Sequence, residues 1–188
     1  MRRLKLQLQI TIDGYMGGPN GELDWMVWDW DDELNQFVGK LTDAVDTILL
    51  GRNMAEGFVS HWKSVADNPE DPSYQFGKKM YDTPKVVFSR TLEESPWENT
   101  VVANGKLANV VQKLKNMDGG DMIVYGGSEF VSDLVDKNLI DDYYLFINPA
   151  ALGDEDGGMR VFNEGTVFRL IESRAFSCGI VLLHYQTT

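Results

Sequence analysis

The sequence predicts one α/β domain: a central mixed, mainly parallel sheet with helices on both faces and a C-terminal antiparallel hairpin. Three observations predict it. Apolar stretches of period two alternate along the chain with stretches whose apolar residues recur every three or four positions. Short, β-branched apolar runs such as "TILLG" (47–51) and "KVVFS" (85–89) read as buried strands. The tail, "FRLIESRAFSCGIVLLHYQT", holds two strand-like runs joined tightly near 177–179. Strand–helix alternation calls for parallel pairing under helices, and the closing hairpin adds antiparallel strands.

The elements follow in order. Leu4, Leu6, Leu8 and Ile10 recur at every second residue, which predicts a strand with one face in the core. A glycine-rich loop follows, through Asp13, Gly14, Gly17, Gly18, Pro19 and Gly21. Asp31 or Asp32 can cap a helix whose apolar stripe is Leu34, Phe37, Val38, Leu41 and Val45. After the strands at 47–51 and 85–89, Leu107, Val110, Val111 and Leu114 mark a helix closed by Asp118-Gly119-Gly120. The polar segment 66–73 between them reads as an exposed loop. "MIVYGGSEFVSDLVDK" (122–137) is a strand, a Gly126-Gly127 turn, and a helix facing inward with Phe130, Val131, Leu134 and Val135. "DYYLFIN" (142–148) is a further strand.

Composition narrows the function. A chain of 188 residues, 43% hydrophobic, buries one sizeable core, so residues 1–188 form a single domain. A net charge of −12 argues against gripping nucleic-acid phosphates, which takes clustered Lys and Arg. Cys178 is the sole cysteine, so no internal disulfide forms. No apolar run approaches the roughly 20 residues of a membrane span, and the start lacks a signal-peptide core. A soluble cytoplasmic protein is the expectation.

Several motifs are absent. No two glycines stand two apart, which rules out G-x-G-x-x-G, and no Gly-Lys pair is followed by Ser or Thr. Gly126-Gly127-Ser128-Glu129-Phe130 places Phe where a nucleophile elbow needs its second glycine. His61 and His184 stand alone. The acidic run Asp154, Glu155 and Asp156 lacks the calcium-loop residues at Gly158 and Met159, and reads as a solvated turn. No metal site is expected.

What remains is a set of strand ends, where open α/β sheets bind ligands. Gly51, Arg52 and Asn53 follow one buried strand, Ser89, Arg90 and Thr91 another, and Gly126, Gly127, Ser128 and Glu129 a third. Glycines let a phosphate approach the backbone, and a helix N-terminus offers free N–H groups to it. Two arginines at strand ends can clamp a further phosphate bidentately. Each junction alone is as well explained by a turn or a solvated charge. Together they suit a ligand with several phosphates.

The ordered set "ITIDGYMGGPNGELDW", "ILLGRNMAEGF", "KVVFSRTL", "MIVYGGSEFVSDL" and "DDYYLFINPAALG" resembles the dihydrofolate reductase-like superfamily. It is most similar to the branch of the riboflavin-biosynthesis (RibD) C-terminal reductase domain. The resemblance implies a three-layer fold that binds NADPH and reduces a small heteroaromatic, pyrimidine- or pteridine-like substrate. It places Gly51, Arg52 and 89–91 at the adenosine 2′-phosphate, and 126–129 at the pyrophosphate and its ribose. It also implies a homodimer.

For the substrate side, the resemblance points to the first loop and first helix, which offer Asp13, Tyr15, Asp24, Trp25, Asp32 and Glu33. "T-x-D-G" gives Asp13 a catalytic claim, against an Asx turn residue ahead of Gly14. Asp32 and Glu33 serve equally well as helix-end charges. Tyr125 either faces the nicotinamide or packs. The aromatic segment Tyr15, Met16, Trp25, Trp28 and Trp30 suits a stacked planar ring or an oligomer interface. An alternative function stays open: a nucleotide-binding protein that keeps the cofactor cradle without catalysis.

Overall fold

The computed structural model describes the chain except residues 154–157, 164 and 188, so the acidic run at 154–156 lies outside the described residues. In chain order the elements are β1 (Leu4–Ile10), β2 (Tyr15–Gly17), α1 (Asp32–Leu41), β3 (Val45–Gly51), α2 (Arg52–Ala66), α3 (Tyr74–Asp82), β4 (Lys85–Phe88) and β5 (Thr100–Ala103). There follow α4 (Leu107–Lys115), β6 (Asp121–Val124), α5 (Ser128–Asp136), β7 (Asp142–Ile147), β8 (Met159–Arg160), β9 (Phe168–Ala175) and β10 (Val181–Thr187).

The main sheet has eight strands in the order β5-β4-β3-β6-β1-β7-β10-β9. Pairing is parallel from β5 to β7 and antiparallel where β10 joins β7 and β9. β2 and β8 form a separate antiparallel ribbon. The parallel strands therefore all end on one edge of the sheet. α4 and α5 cover one face, over a cluster that includes Leu6, Leu8, Val111, Val124, Val131 and Leu134. α2 and α3 cover the other face over Ile48, Leu50, Phe58, Met80 and Ile123, with α1 beside them over Phe146 and Leu182.

Several sequence expectations need correction. Val45 is not on the α1 stripe: the helix stops at Leu41, and Val45 opens β3. β6 ends at Val124, so Tyr125 already belongs to the turn. β2, β8, α2, α3 and β5 are not anticipated by the periodicity reading, although α2 carries its apolar residues Ala55, Phe58 and Val59 at helical spacing.

β1 departs most instructively. Its alternation predicts one solvated face, yet the strand lies in the middle of the sheet and is almost wholly buried. Its polar residues Lys5, Gln7 and Gln9 fall under the second layer of helices. Lys5 is compensated there: its ammonium pairs with Asp121 at 2.9 Å and donates to the Leu41 carbonyl at 3.1 Å.

The opposite edge of the sheet, where the parallel strands begin, is tied together by ions. Arg3 and His184 converge on Asp142, with Gln186 donating at 2.8 Å. Burial alone would push the Asp142 carboxyl up, but these hydrogen bonds outweigh it and hold it well below the usual carboxylate range. Arg2 pairs with Asp46, and Lys115 with Asp141 at 2.6 Å.

Register places β6 deep between its neighbours. Val124 is level with Leu49 of β3 and Leu6 of β1, but β3 runs on to Gly51 and β1 to Ile10. A notch is left above the end of β6. Gly51 forms one wall, and a Cβ added there would come within 2.8 Å of the Phe130 Cβ of α5. That atom is the root of its side chain and cannot swing away, so the helix would have to move. Gly51→Ala is expected to destabilise the fold by about 1–3 kcal/mol, the usual cost of overpacking, as read by denaturant titration.

Candidate functional site

β3 and β6 are neighbours, but their connections leave in opposite directions. β3 leads outward through α2 and α3 to β4, while β6 leads through α5 across β1 to β7. Such a switch in winding opens a crevice at the strand ends. Two helices, α2 and α5, begin at its lip behind Gly51 and Gly127, and neither has a side-chain cap. Their first N–H groups thus lack intrahelical partners and point toward the crevice. Gly127 holds φ at +87°, a left-handed value that glycine adopts without strain.

Arg90 stands at the centre of the arrangement. It is exposed and follows β4 in the loop 89–92, which the Ser89 hydroxyl shapes by accepting from the Thr91 and Leu92 N–H groups at 3.1 and 2.9 Å. On one side Arg90 borders a hollow of about 370 Å³ with Ser89, Thr91, Asn104 and Gly105. On the other it borders a hollow of about 490 Å³ with Ser128, Glu129, Ser132 and Arg160. Among the described residues no carboxylate forms an ion pair with Arg90, although Glu129, Asp133 and Asp136 line the same hollow. The structure therefore brings the β4 loop and the first residues of α5, Ser128 and Glu129, to one hollow, which Gly126 and Gly127 do not line.

Arg52 does not join them. Its guanidinium lies 5.6 Å from the centre of the Trp97 ring, and neither Gly51, Arg52 nor Asn53 lines either hollow. The strand-end position is the expected one, but stacking on Trp97 takes the charge elsewhere.

On the substrate side the expected residues separate. The Asp13 carboxylate accepts from the Thr11 hydroxyl and from the N–H groups of Leu152 (3.0 Å) and Gly153 (2.7 Å). The Thr11 hydroxyl first, and then those N–H groups against slight desolvation, hold its pKa below normal. Asp13 thus stays ionised and pins one loop to another. Tyr15 is buried in β2, where its hydroxyl accepts from Arg160 at 2.6 Å, so its ring holds an arginine instead of meeting solvent. Asp24 is exposed, and the Trp25 indole donates to the Glu22 carbonyl at 3.1 Å.

Asp32 and Glu33 belong to the junction of α1 with the hairpin. Asp31, immediately before them, caps α1 by accepting from the Leu34 N–H at 2.8 Å. It also accepts from the Ser177 hydroxyl (2.7 Å) and the Cys178 N–H (3.0 Å). Glu33 pairs with Arg174 of β9 at 3.3 Å. The first turn of α1 is thereby held against β9 and its turn, away from the β3–β6 crevice. Tyr125 packs: its ring stacks on Phe58 at 5.7 Å and its hydroxyl donates to the Met80 sulfur at 3.2 Å. Burial pushes that phenol strongly up, so it stays protonated.

Asn104, Gly105, Ser132 and Arg160 line the hollows without having been expected there. Asn104-Gly105 repeats the strand-end glycine signal of the other junctions, but only if β5 is recognised as a strand.

The family model for the RibD C-terminal domain matches residues 2–182. The chain belongs to the RibD C-terminal domain family. Uncharacterized protein YyaP of Bacillus subtilis is 31% identical over 98% of this chain and 95% of its own length. YwjB of the same organism is 27% identical over 98% of this chain and 97% of its own. Among solved structures, a putative riboflavin biosynthesis protein from Shewanella sp. PV-4 superposes with a TM-score of 0.69 at 23% identity, over 100% of this chain and 99% of that one. A deaminase/5-amino-6-(5-phosphoribosylamino)uracil reductase from Thermotoga maritima gives 0.66 at 17% identity, over all of this chain and 57% of its own. The fold is that of the RibD C-terminal domain, a dihydrofolate reductase-like fold.

The α1 junction predicts a pH effect. Backbone donation from Leu34 and then the Ser177 hydroxyl, against slight desolvation, lower the Asp31 pKa from 3.8 to about 2. A carboxylate with a depressed folded pKa stabilises fully above its unfolded value and loses that contribution as pH falls through the folded one. Stability is expected to drop between about pH 4 and pH 2, and Asp31→Asn, which keeps a capping oxygen, to flatten that part of the profile. Unfolding midpoints measured across this range test it.

Proposed function

We propose that this protein is an NADPH-dependent reductase of a small pyrimidine- or pteridine-like heterocycle. The observation that carries the reading is the uncapped start of α5 behind Gly126-Gly127, facing the unpaired Arg90 across a shared hollow. The residues fit the cofactor. The glycine turn offers backbone N–H groups to a diphosphate, and Arg90 offers a planar fork to a second phosphate. In an acidic protein such local donors are what attract an anionic cofactor. NADPH would supply a hydride. Membership in the RibD C-terminal domain family and the named activity of the Thermotoga protein support the reaction class.

What the chain's own residues do follows from their placement. Asp13 closes the loop over the strand ends, and Tyr125 walls the notch above β6. Neither is placed to release a proton, the one being held ionised and the other packed on sulfur. That observation favours a second reading, nucleotide binding without turnover. Following NADPH absorbance with uracil- and pteridine-type acceptors separates the two readings: oxidation of the cofactor upholds the reductase, and binding without oxidation upholds the second.

Two outcomes are expected from cofactor titrations. Arg90→Ala should raise the NADPH dissociation constant about tenfold, the worth of one charge-assisted hydrogen bond, and leave NADH nearly unchanged. The difference should shrink at high salt. Arg52→Ala, already stacked on Trp97, should matter less, and equal losses for both cofactors would assign Arg90 another role. Gly126→Ala should fold normally, since its Cβ would meet Met54 at an ordinary 3.5 Å. Weaker NADPH binding by that folded variant would then report a ligand lying against the turn, and unchanged binding would refute it.

A further inference from the structure

The polar face of β1 is only partly compensated. Lys5 has its partners, but the Gln7 Oε1 and the Gln9 Nε2 are buried and have none. Gln7 is 8% exposed. Leaving a buried amide atom unpaired forfeits its hydration with nothing in return, so such atoms are rare unless water, an ion or a ligand completes them.

The orientation of the Gln9 amide is determined by its neighbours. The Val27 N–H can only donate, and it donates to the Asn148 Oδ1 at 2.9 Å. The Asn148 Nδ2 must then face Gln9, and it donates to the Gln9 Oε1 at 2.7 Å. Gln9 is left with its NH₂ group as the unpaired end, a donor by construction. Gln7, two residues away on the same face of the strand, leaves an acceptor unpaired. Both lie beyond Leu6, the last residue of β1 paired with β6, so they flank the notch. The Val27 bond also anchors the aromatic segment to this place, with exposed Trp28 next in sequence and Trp30 packed on the neighbouring cluster. The Tyr143 hydroxyl is likewise unpaired, but it belongs to the apolar cluster on the other face of the sheet.

We propose that Gln7 and Gln9 read the lactam edge of the substrate ring, with the Gln7 Oε1 accepting from a ring N–H and the Gln9 Nε2 donating to the carbonyl beside it. The inference rests on the reductase reading for its location and names the substrate's recognised group. Gln7, Gln9 and Asn148 are all neutral, so the ring is bound uncharged. The Glu33 carboxylate takes no part, because it pairs with Arg174 at the hairpin.

The test uses the full chain with lumazine, which has ring N–H groups beside carbonyls, and its 1,3-dimethyl derivative, which has none. Calorimetric titration, with and without saturating NADPH, should show lumazine bound about tenfold more tightly, the loss expected for one unmade hydrogen bond. Gln7→Leu should erase that preference and raise the melting temperature of the ligand-free chain, since it removes an unpaired buried polar atom. Gln9→Glu keeps the oxygen that Asn148 needs and removes the donor, so lumazine binding should fall about tenfold while NADPH binding holds. No lumazine binding at millimolar concentration, equal binding of both probes, or a Gln7→Leu chain that still prefers lumazine would overturn the proposal. A wild type that binds lumazine but not NADPH would instead count against the cofactor reading alone.

Discussion

The early end of β6 is the constraint on which the rest depends. A parallel strand flanked on both sides must find partners for every backbone group until it leaves the sheet. β6 leaves at Val124, level with Leu49 and Leu6, while both neighbours continue. The chain leaves between two continuing strands through Tyr125, Gly126 and Gly127, and Gly127 makes the turn with a left-handed φ that glycine adopts without strain. The same exit starts α5 at the sheet edge, packed so closely on β3 that Gly51 must lack a Cβ. One short strand therefore determines where the helix begins, where a glycine is needed, and where N–H groups are left without intrahelical partners.

The second face of β1 divides the layer that covers it. Apolar clusters gather under α2 and α3 on one side and under α1 on the other, while Lys5, Gln7 and Gln9 form a polar seam beneath them. Replacing the seam with apolar residues would give a more uniform core. A polar seam in the centre of a sheet lowers core stability wherever its groups lack partners.

Much of the sheet was legible because buried parallel strands have short β-branched apolar runs with glycine or proline at their ends. β3, β4, β6 and β7, the helix after Gly127 and the closing hairpin all carry such signals. β1 was legible as a strand but not as a central one, since Lys5, Gln7 and Gln9 imitate a solvated face. β5 was hidden because it is four residues long and half exposed. α2 begins at a residue read as part of a strand end, with Gly57 interrupting its pattern. In the candidate site, the β4 loop and the α5 turn could be read from local chemistry. The diversion of Arg52 to Trp97, of Glu33 to Arg174 and of Asp13 to the loop at 152–153 could not, because each partner is distant in sequence. Local pattern reports what a residue is able to do, and long-range contacts decide whether it is free to do it.

The ion pairs gathered where the parallel strands begin have a consequence for how such a protein can change. Arg3, Asp142, His184, Arg2 and Asp46 fasten one rim of the sheet, and the junctions after β3, β4, β5 and β6 occupy the other. Strands of four to seven residues separate the two rims, far enough for substitutions at one to leave the energetics of the other nearly untouched. Loops at the rim where the parallel strands end are thus open to replacement or lengthening while the fastening persists, so that rim can vary without refolding the scaffold.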